Sequence, residues 1–468
     1  MNNKLNSSFT KTLLALGIAS ATTLSHAGAF GLIENSASGQ GSAFAGASAL
    51  GEDASTIYFN PAGMTRLSGS QIIVVGHVIA PQTDFNNNGS TDALGAPLTG
   101  SDSNIGDPAF LPNIYYATEL PNEIHVGVGV TVPFGLETDY DKDWVGRYSA
   151  LKSEIVSINV NPAIAWKVTS KLAVGFGLSV QYIDLSLSNN IDSFAACVNL
   201  TTQAGSTTPG TDCFNAGLTG FGVASQDSKV KLTGDSLEIG WNAGLLYDVN
   251  DTNRIGVSYR SAIKHNVSGD ANYNLNAGLQ PFADGASAAT GFSILQDTSL
   301  KANAELPETF SLSYVSEITP KWTALFDWTW TGWSKLDTIV IRQSGGVPGQ
   351  EPTLNLAYDD TNRFSAGVNY QFNEKLILRT GVAYDETPIK SAETRSARIP
   401  GNNRRWASIG AGYAFSPEWT VDLGYSHLFM SDSDVNNNGG ASSSGSTLIG
   451  TYDNTSVDIF SAQANYNF

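Results

Sequence analysis

Cations are scarce in this sequence. The 468 residues include 25 Lys and Arg against 43 Asp and Glu, a formal net charge of −18. Proteins that bind nucleic acid present a basic patch or stripe to the phosphates, and the sequence has none. Much of the acidity falls in segments that we expect to be loops, such as the stretch that contains Glu137, Asp139 and Asp141. The charge therefore argues against a nucleic-acid partner and indicates solvated loops.

Long apolar runs are also missing, apart from one near the N-terminus. The run from Thr12 to Leu24 follows Lys4 and Lys11 and ends in the small-x-small pattern of residues 25–27. These features are typical of a secretory signal peptide, and the run is far short of the roughly 20 residues of a membrane helix. We predict a signal peptide over residues 1–27, its cleavage, and a mature chain that begins near Gly28.

The sequence lacks the residue patterns of enzymes and of metal sites. His77, His125, His265 and His427 fall on different predicted strands with no common height, and no zinc spacing or phosphate-loop lysine accompanies them. Nucleophilic catalysis needs a nucleophile and a base within reach of one another. We therefore predict that the protein is not an enzyme and uses no cofactor.

Cysteine is limited to Cys197 and Cys213. Both lie in one predicted loop of an exported chain, and the compartment outside the inner membrane is oxidising. They do not form a CxxC pair, which argues against a redox role. We predict a disulfide, to which the chain-entropy model assigns about 3 kcal/mol of stabilisation.

What the sequence does contain is a long series of alternating segments. From Gln71 onward, apolar and polar residues alternate with period two, as in 172–182, and Gly, Pro and Asn turns separate the segments. Short turns alternate with long loops, aromatic residues lie near the strand ends, and we count about fourteen strands, as in outer-membrane barrels. We predict an all-β fold, a 14-stranded antiparallel transmembrane β-barrel over residues 70–468. A soluble periplasmic β-sandwich is the alternative, but it would not need so many strands with aromatic ends.

Residues 28–69 differ from everything that follows. They are rich in Gly, Ala and Ser and show neither strand alternation nor a long helical stripe. An even strand number puts both chain ends on the periplasmic side, so this segment can enter the lumen from below. We predict that it forms a plug, or hatch, inside the barrel. Asp53 is expected to cap a short helix over residues 54–59, and residues 60–63 to end it.

The third predicted strand should be broken. Residues 124–132 alternate cleanly, but Pro133 and Gly135 follow at once. Proline removes a ladder donor and glycine weakens pairing, so we predict a kink or bulge here.

Two loop segments carry the spacing Asp-x-Asn-x-Asn-Gly, which is similar to the first half of a calcium loop. Position twelve is Gly95 in one segment and Gly445 in the other, instead of the bidentate Glu. Polar loop tips are the favoured interpretation, and calcium binding is a minor hypothesis. The residues are Asp84, Asn86, Asn88, Gly89, Asp434, Asn436, Asn438 and Gly439.

Several motifs, in order along the whole mature chain, resemble the outer-membrane long-chain fatty acid transporter family, which also includes uptake channels for aromatic hydrocarbons. The motifs occupy residues 36–39, 43–46, 53–55, 60–63, 133–136, 146–148, 150–153, 159–163 and 399–406.

The resemblance implies a fourteen-stranded barrel with its lumen blocked by the hatch. Hydrophobic cargo, fatty acids or aromatic hydrocarbons, would be captured by outer loops and passed to a pocket that touches the hatch. It would leave sideways where the third strand kinks, at Pro133, Phe134, Gly135 and Leu136. Gly39, Gly41 and Gly46 would pack closely against the wall. The hatch residues expected to gate the pocket are Gly39, Gly41, Phe44, Gly46, Asp53, Asn60, Pro61 and Ala62.

A carboxylate cargo would favour a cation near the pocket, and Arg147 and Arg379 are the candidates. The alternative for Arg147 is a loop salt bridge with Asp141 or Asp143, and for Arg379 ordinary lumen polarity. No ATP site appears, so transport should be passive. Outer-membrane lipid, lipopolysaccharide and the barrel-assembly machinery are the expected partners. A general diffusion porin and a structural barrel stay open as alternatives.

Overall fold

The computed structural model describes residues 30–105, 107–437 and 445–468. The predicted signal peptide, Gly28, and Asn438 and Gly439 of the second calcium-like segment lie outside this part. Within it, no helix is long and apolar enough to cross a bilayer.

Fourteen antiparallel strands form the wall in the described part of the chain, and four of them are interrupted. Their bounds are β1 Ser70–Asn87, β2 Ala109–Leu120, β3 Ile124–Thr131 and Gly135–Asp139, β4 Lys152–Lys167, β5 Leu172–Ile191, β6 Ser228–Asn250, β7 Asn253–Arg260 and Ile263–Asn274, β8 Thr298–Leu306 and Thr309–Thr319, β9 Trp322–Thr331 and Thr338–Gln343, β10 Thr361–Gln371, β11 Leu376–Asp385, β12 Arg404–Ala414, β13 Trp419–Met430, and β14 Leu448–Asn467. Shorter strands at Asn104–Ile105, Thr353–Asn355 and Ser433–Asn437 extend the outer ends.

The barrel closes because its first and last strands pair. Gln71 is opposite Asn467 and Ile79 opposite Ile459, while the other edge of β1 pairs with β2. Closure leaves neither the first nor the last strand with an unpaired edge toward the lipid. The prediction of a closed fourteen-stranded antiparallel barrel is confirmed.

The two faces of each strand have different surroundings, because successive side chains point to opposite sides of the wall. On β1, Ile73 and Val75 are buried, whereas Val74 and Val78 between and beyond them are exposed on the outer face. Large apolar side chains are exposed in the same way around the wall, and this band faces the lipid. Examples are Phe176, Ile239, Phe326, Phe364 and Leu423.

Short helices make up the hatch, which we define in the structure as residues 30–69. They are α1 Ala37–Gly41, α2 Ala47–Leu50, α3 Thr56–Phe59 and a 3₁₀ helix at Pro61–Arg66. The hatch lies inside the lumen and bonds to several strands. Gln40 Nε2 donates to Ile459 O at 2.9 Å, and Tyr115 Oη donates to Asn35 O at 2.9 Å.

The outer connections contain more regular structure than the sequence patterns predicted. The long cysteine-containing segment holds two helices, α4 Ser193–Gln203 and α5 Pro209–Asn215. The connection between β7 and β8 contains a further helix, α6 Gln280–Thr290. The predicted disulfide is confirmed, because Cys197 and Cys213 are bonded and tie α4 to α5.

The fit of the hatch to the wall depends on close backbone contact at Gly41. A Cβ atom there would lie 2.9 Å from the Cα of Gly410 on β12. We expect Gly41→Leu to displace the hatch and to raise ion conductance in planar bilayers well above that of the parent protein. Gly285→Leu is the control, because nothing lies within 4 Å of that site. A folded Gly41→Leu barrel with unchanged conductance would show that the hatch does not seal the lumen.

Candidate functional site

Two cavities lie above the hatch, and an aromatic cluster separates them. Phe30 lines the outer one, which we call the upper cavity, whereas Phe134 and Trp333 line the inner one, the hatch cavity. The Phe30 ring centroid is 5.9 Å from that of Phe134 and 5.2 Å from that of Trp333. The three rings therefore form the partition between the cavities.

The upper cavity is almost wholly apolar. Its volume is about 100 Å³, and its lining is dominated by apolar side chains, as in most small-molecule sites. Such a cavity suits an apolar chain or ring and offers little to an ion. Among its lining residues are Leu136, Ile183, Leu232, Leu300, Ile341 and Leu356.

Arg398 is the cation of the upper cavity. Its guanidinium donates to Ser153 Oγ at 2.9 Å and to Asn189 Oδ1 at 3.1 Å, which are neutral acceptors. Burial lowers the pKa of this guanidinium to about 10, since desolvation disfavours the charged form.

The hatch cavity combines apolar and charged walls. Its lining includes Leu32, Phe44 and Phe59 of the hatch, together with a charged row on the barrel wall. Phe44 and the preceding Ala43 have positive φ angles, 57° and 53°. This left-handed backbone is uncommon outside glycine, and such strain is often found at functional sites.

The charged row runs across three neighbouring strands. Arg363 on β10 is opposite Asp385 on β11, and Asp385 is opposite Arg404 on β12. Arg404 Nη2 bonds to Asp385 Oδ2 at 2.5 Å, and Arg363 Nη2 donates to Ala43 O of the hatch at 2.9 Å. The row thus places two cations beside one carboxylate and links the wall to the hatch.

A buried hatch carboxylate lies near the same row. In the described part of the chain, neither oxygen of Glu34 accepts a hydrogen bond from another residue. Burial raises the pKa of the Glu34 carboxyl above its ordinary range, and the backbone N–H of Glu34 itself and the positive charges of Arg404 and Arg363 oppose this rise.

The third strand is broken where the sequence predicted a kink. Its lower half, Ile124–Thr131, pairs with both β2 and β4. Its upper half, Gly135–Asp139, pairs with β4. Within the described residues it shares no ladder pair with β2, so the wall has a gap on that side.

The N-terminal end of the hatch bonds to this break. Leu32 N donates to Pro133 O and Gly135 N donates to Phe30 O, both at 2.9 Å. Gly31 and Phe134 form an isolated antiparallel bridge between these bonds. Hatch residues therefore replace the missing wall partner, and Leu136 and Phe134 next to the break line the two cavities.

Asp53 and Asn60 hold the hatch together and attach it to the wall. Asp53 Oδ2 accepts from Ser38 Oγ at 2.7 Å and from Gln463 Nε2 on β14 at 2.8 Å. Asn60 Nδ2 donates to Leu245 O on β6 at 3.0 Å. The expected helix over residues 54–59 is shorter, at Thr56–Phe59, and the prediction that Asp53 caps it is wrong, because the N-cap position is occupied by Ser55.

The turn at residues 60–63 ends helix α3 but leads directly into the 3₁₀ helix. Asn60 adopts an extended backbone, and its side chain accepts from Ala62 N at 3.0 Å. Pro61 occupies the first turn, where a missing N–H costs nothing.

Arg147 and Arg379 both bond to carboxylates of the protein. Arg147 Nε pairs with Asp227 Oδ2 at 2.7 Å in the outer connections. The alternative that its partner is Asp141 or Asp143 is wrong, because residue 227 lies closer in the fold despite its distance in sequence. Neither arginine is among the residues that line the two cavities. Their role in binding cargo stays a prediction.

Arg379 is buried inside the barrel. Its guanidinium pairs with Asp422 Oδ1 at 2.7 Å and with Glu52 of the hatch. This arginine therefore joins the hatch to β11 and β13.

The two segments with calcium-like spacing form bonds across the sheet. Asn86 Nδ2 of the first segment donates to Asp453 Oδ2 at 2.9 Å, and Asp434 Oδ1 of the second accepts from Thr451 Oγ1 at 2.9 Å. No group of three His, Cys, Asp or Glu that could hold a metal occurs in the described ranges.

The row of Arg363, Asp385 and Arg404 was not predicted from the sequence. These residues lie far apart in the sequence, and only the registers of β10, β11 and β12 bring them together. The available signal was a charged residue near the outer end of each of these three strands.

The closed wall, the lipid-facing apolar band and the internal hatch define the class of the protein, a bacterial outer-membrane β-barrel with a plugged lumen. A sequence model of one family, described as outer membrane protein transport protein (OMPP1/FadL/TodX), matches residues 18–468. The chain belongs to this family.

Relatives of known name align over most of their length. Outer membrane protein P1 of Haemophilus influenzae is 30% identical over 438 residues, 90% of each chain. The long-chain fatty acid transport protein of Escherichia coli (strain K12) is 27% identical over 426 residues, 90% of this chain and 92% of the relative.

Solved structures share the fold. A Pseudomonas aeruginosa FadL homologue superposes with a TM-score of 0.83 at 24% identity, over 94% of this chain and 100% of that one. The Pseudomonas putida toluene transporter TodX gives a TM-score of 0.63 at 16% identity, over 95% and 99%.

Proposed function

We propose that this protein carries long-chain fatty acids passively across the outer membrane. Transport of hydrophobic compounds is the function of its family, whose members are transporters and channels and not enzymes. The observation that carries the finer proposal is the apolar upper cavity, which borders both the broken third strand and the N-terminal end of the hatch. A related protein bears the name of a long-chain fatty acid transporter.

An apolar cavity binds an acyl chain by removing it from water. Each buried methylene contributes about 0.8 kcal/mol, so a long chain gains affinity with every carbon that the cavity covers. An open aqueous pore would offer no such gain, and the hatch argues against a general diffusion porin.

The proposed exit is sideways, through the break in β3. The cargo passes from the upper cavity to the hatch cavity and leaves between β2 and the upper half of β3, directly into the membrane. This route avoids returning the chain to water. For the gap to open, the hydrogen bonds of Phe30 and Leu32 to Pro133 and Gly135 must break.

Uptake of aromatic hydrocarbons is the second candidate function. The upper cavity would accept an aromatic ring as well as an acyl chain, and structures with the same fold include a toluene transporter. A hydrocarbon cargo would make no use of the arginines that line the hatch cavity.

Growth of a complemented strain tests the proposed cargo. We expect this chain to restore growth on oleate to a host that lacks its own outer-membrane fatty acid transporter, because the acyl chain can then enter. Uptake of labelled toluene is measured in parallel. Folded protein in the outer membrane that leaves growth on oleate unrestored would contradict the proposal, and toluene uptake alone would favour the second candidate.

Repair of the broken strand tests the exit. In Pro133→Val with Gly135→Val, residue 133 regains an N–H and both residues favour strand pairing. We expect oleate uptake to fall to the level of the empty host while the barrel still folds. Pro320→Val, in the turn between β8 and β9, is the matched control and should transport normally. Unchanged uptake by the folded double variant would count against lateral exit.

A further inference from the structure

A wide groove lies on the outer face of the wall, across β8 to β13. We call it the wall groove. Its volume is about 1030 Å³, at the upper end of the range of about 300–1,000 Å³ found for small-molecule sites. Its walls are large apolar side chains on the lipid-facing side, which are between 40% and 59% exposed. They include Leu312, Phe326, Phe364, Val382 and Phe429.

The wall groove and the hatch cavity lie on opposite faces of the same stretch of wall. Asp327 and Trp406, whose side chains are buried inside the barrel, border both. The exposed neighbours of Trp406 in the groove face outward, because successive side chains of a strand point to opposite sides. The groove therefore opens to the lipid and is separate from the cargo cavities.

Small side chains between large ones make the groove concave. Ala366 on β10 is opposite Phe326 on β9 and Val382 on β11, and directly opposed residues are about 5 Å apart. The methyl group of Ala366 leaves space between its two larger neighbours. Hydrocarbon chains of the bilayer are as apolar as this furrow, so chain packing alone selects no particular lipid. Any selection must come from a polar group.

Arg405 is that polar group, since it is the one cation among the residues that line the groove. It lies on β12 opposite Tyr384 of β11 and Phe429 of β13, and its side chain is exposed. In the described part of the chain, the Arg405 guanidinium forms no hydrogen bond and no ion pair. A charged side chain at the edge of the hydrocarbon layer is costly unless it finds a counter-ion.

The carboxylates on the neighbouring outer surface have other partners. Glu386, the residue after β11, accepts from N and Nδ2 of Asn362 at 2.8 and 3.1 Å. Asp458 on β14 is bonded to Nδ1 of His427 at 2.8 Å. Neither carboxylate pairs with Arg405, so its positive charge is available to a lipid head group.

The level of Arg405 in the membrane is set by the aromatic residues around it. Strand register connects it through Tyr384 and Phe364 to Trp328. At the other end of the wall, near the short periplasmic turns, lie Tyr413, Phe415 and Trp419. Outer-membrane barrels carry one aromatic girdle at each membrane interface. Arg405 therefore lies in the outer girdle, at the level of the head groups of the outer leaflet.

We propose that the wall groove binds the lipid A portion of lipopolysaccharide. Its acyl chains lie along Ala366 and Val382, and one of its phosphates binds the Arg405 guanidinium. A guanidinium offers paired donors that match phosphate oxygens. Lipid A fits the level of Arg405 because it forms the outer leaflet of this membrane. The inference does not depend on the cargo or on the hatch, and it stands apart from the proposed function.

The test measures lipid binding by native mass spectrometry. The full-length mature protein is folded from its denatured chain in detergent, so that it carries no lipopolysaccharide, and is mixed with diphosphorylated lipid A, dephosphorylated lipid A or phosphatidylglycerol. We expect the parent protein to retain one diphosphorylated lipid A in preference to the other two lipids. Arg405→Gln should weaken binding of the diphosphorylated form about tenfold and leave the dephosphorylated form unchanged. Ala366→Phe, which fills the groove, should weaken both forms.

Matched variants separate a site from general surface charge and bulk. Arg342 is also exposed, lies on the upper part of β9, forms no ion pair in the described ranges and does not line the groove. Arg342→Gln should therefore bind like the parent. Val78 is 43% exposed on the outer face of β1, and Val78→Phe should also bind normally. Arg405→Lys keeps the charge without the paired donors and should retain part of the affinity.

Four results would overturn the proposal. The folded parent protein retains no lipid A, or it binds phosphatidylglycerol as strongly, which would indicate a general preference for anionic lipids. Folded Arg405→Gln, or Arg405→Lys if the glutamine variant does not fold, keeps the full affinity for the diphosphorylated form. Arg342→Gln loses as much affinity as Arg405→Gln, which would assign the effect to surface charge.

Discussion

A broken hydrogen-bond ladder in a membrane wall must find other partners, because lipid offers none to an exposed N–H or C=O. In this barrel the break lies in β3, at Pro133 to Gly135, and the partners come from inside, from Phe30 and Leu32 of the hatch. The same two hydrogen bonds complete the wall and anchor the start of the hatch. The hatch and the wall therefore share these hydrogen bonds, and the N-terminal end of the hatch cannot move without leaving the break in β3 unpaired.

The two cavities and the deeper contacts of the hatch are arranged around this break. Aromatic rings around the break separate the apolar upper cavity from the hatch cavity, which has both apolar and charged walls. A hydrophobic molecule can therefore approach the gap without crossing water. Deeper contacts keep the remainder of the hatch in place, among them Asp53 with Gln463 and Arg379 with Glu52. In our account the N-terminal end moves while the body of the hatch stays attached to the wall.

Local sequence patterns predicted most of the fold. Alternation with period two identified the barrel, the paired Pro133 and Gly135 identified the break, and the absence of alternation before Gln71 identified the hatch. Features that depend on register or on distant partners were not predictable from one sequence. The row of Arg363, Asp385 and Arg404 forms only when three strands are aligned in register. Asp227 pairs with Arg147 although a long connection, which contains two helices, lies between them in the sequence.

The most direct measurement is oleate uptake by a variant in which a disulfide joins the hatch to the break in β3. Gly31 and Phe134 are opposed in an antiparallel bridge, so Gly31→Cys with Phe134→Cys should form a disulfide during export. The account predicts that oleate uptake is blocked in the oxidised double variant and returns on mild reduction, while the parent protein is unaffected by the same reductant. Full uptake through the crosslinked protein would contradict it, because the cargo would then pass without release of the hatch from β3.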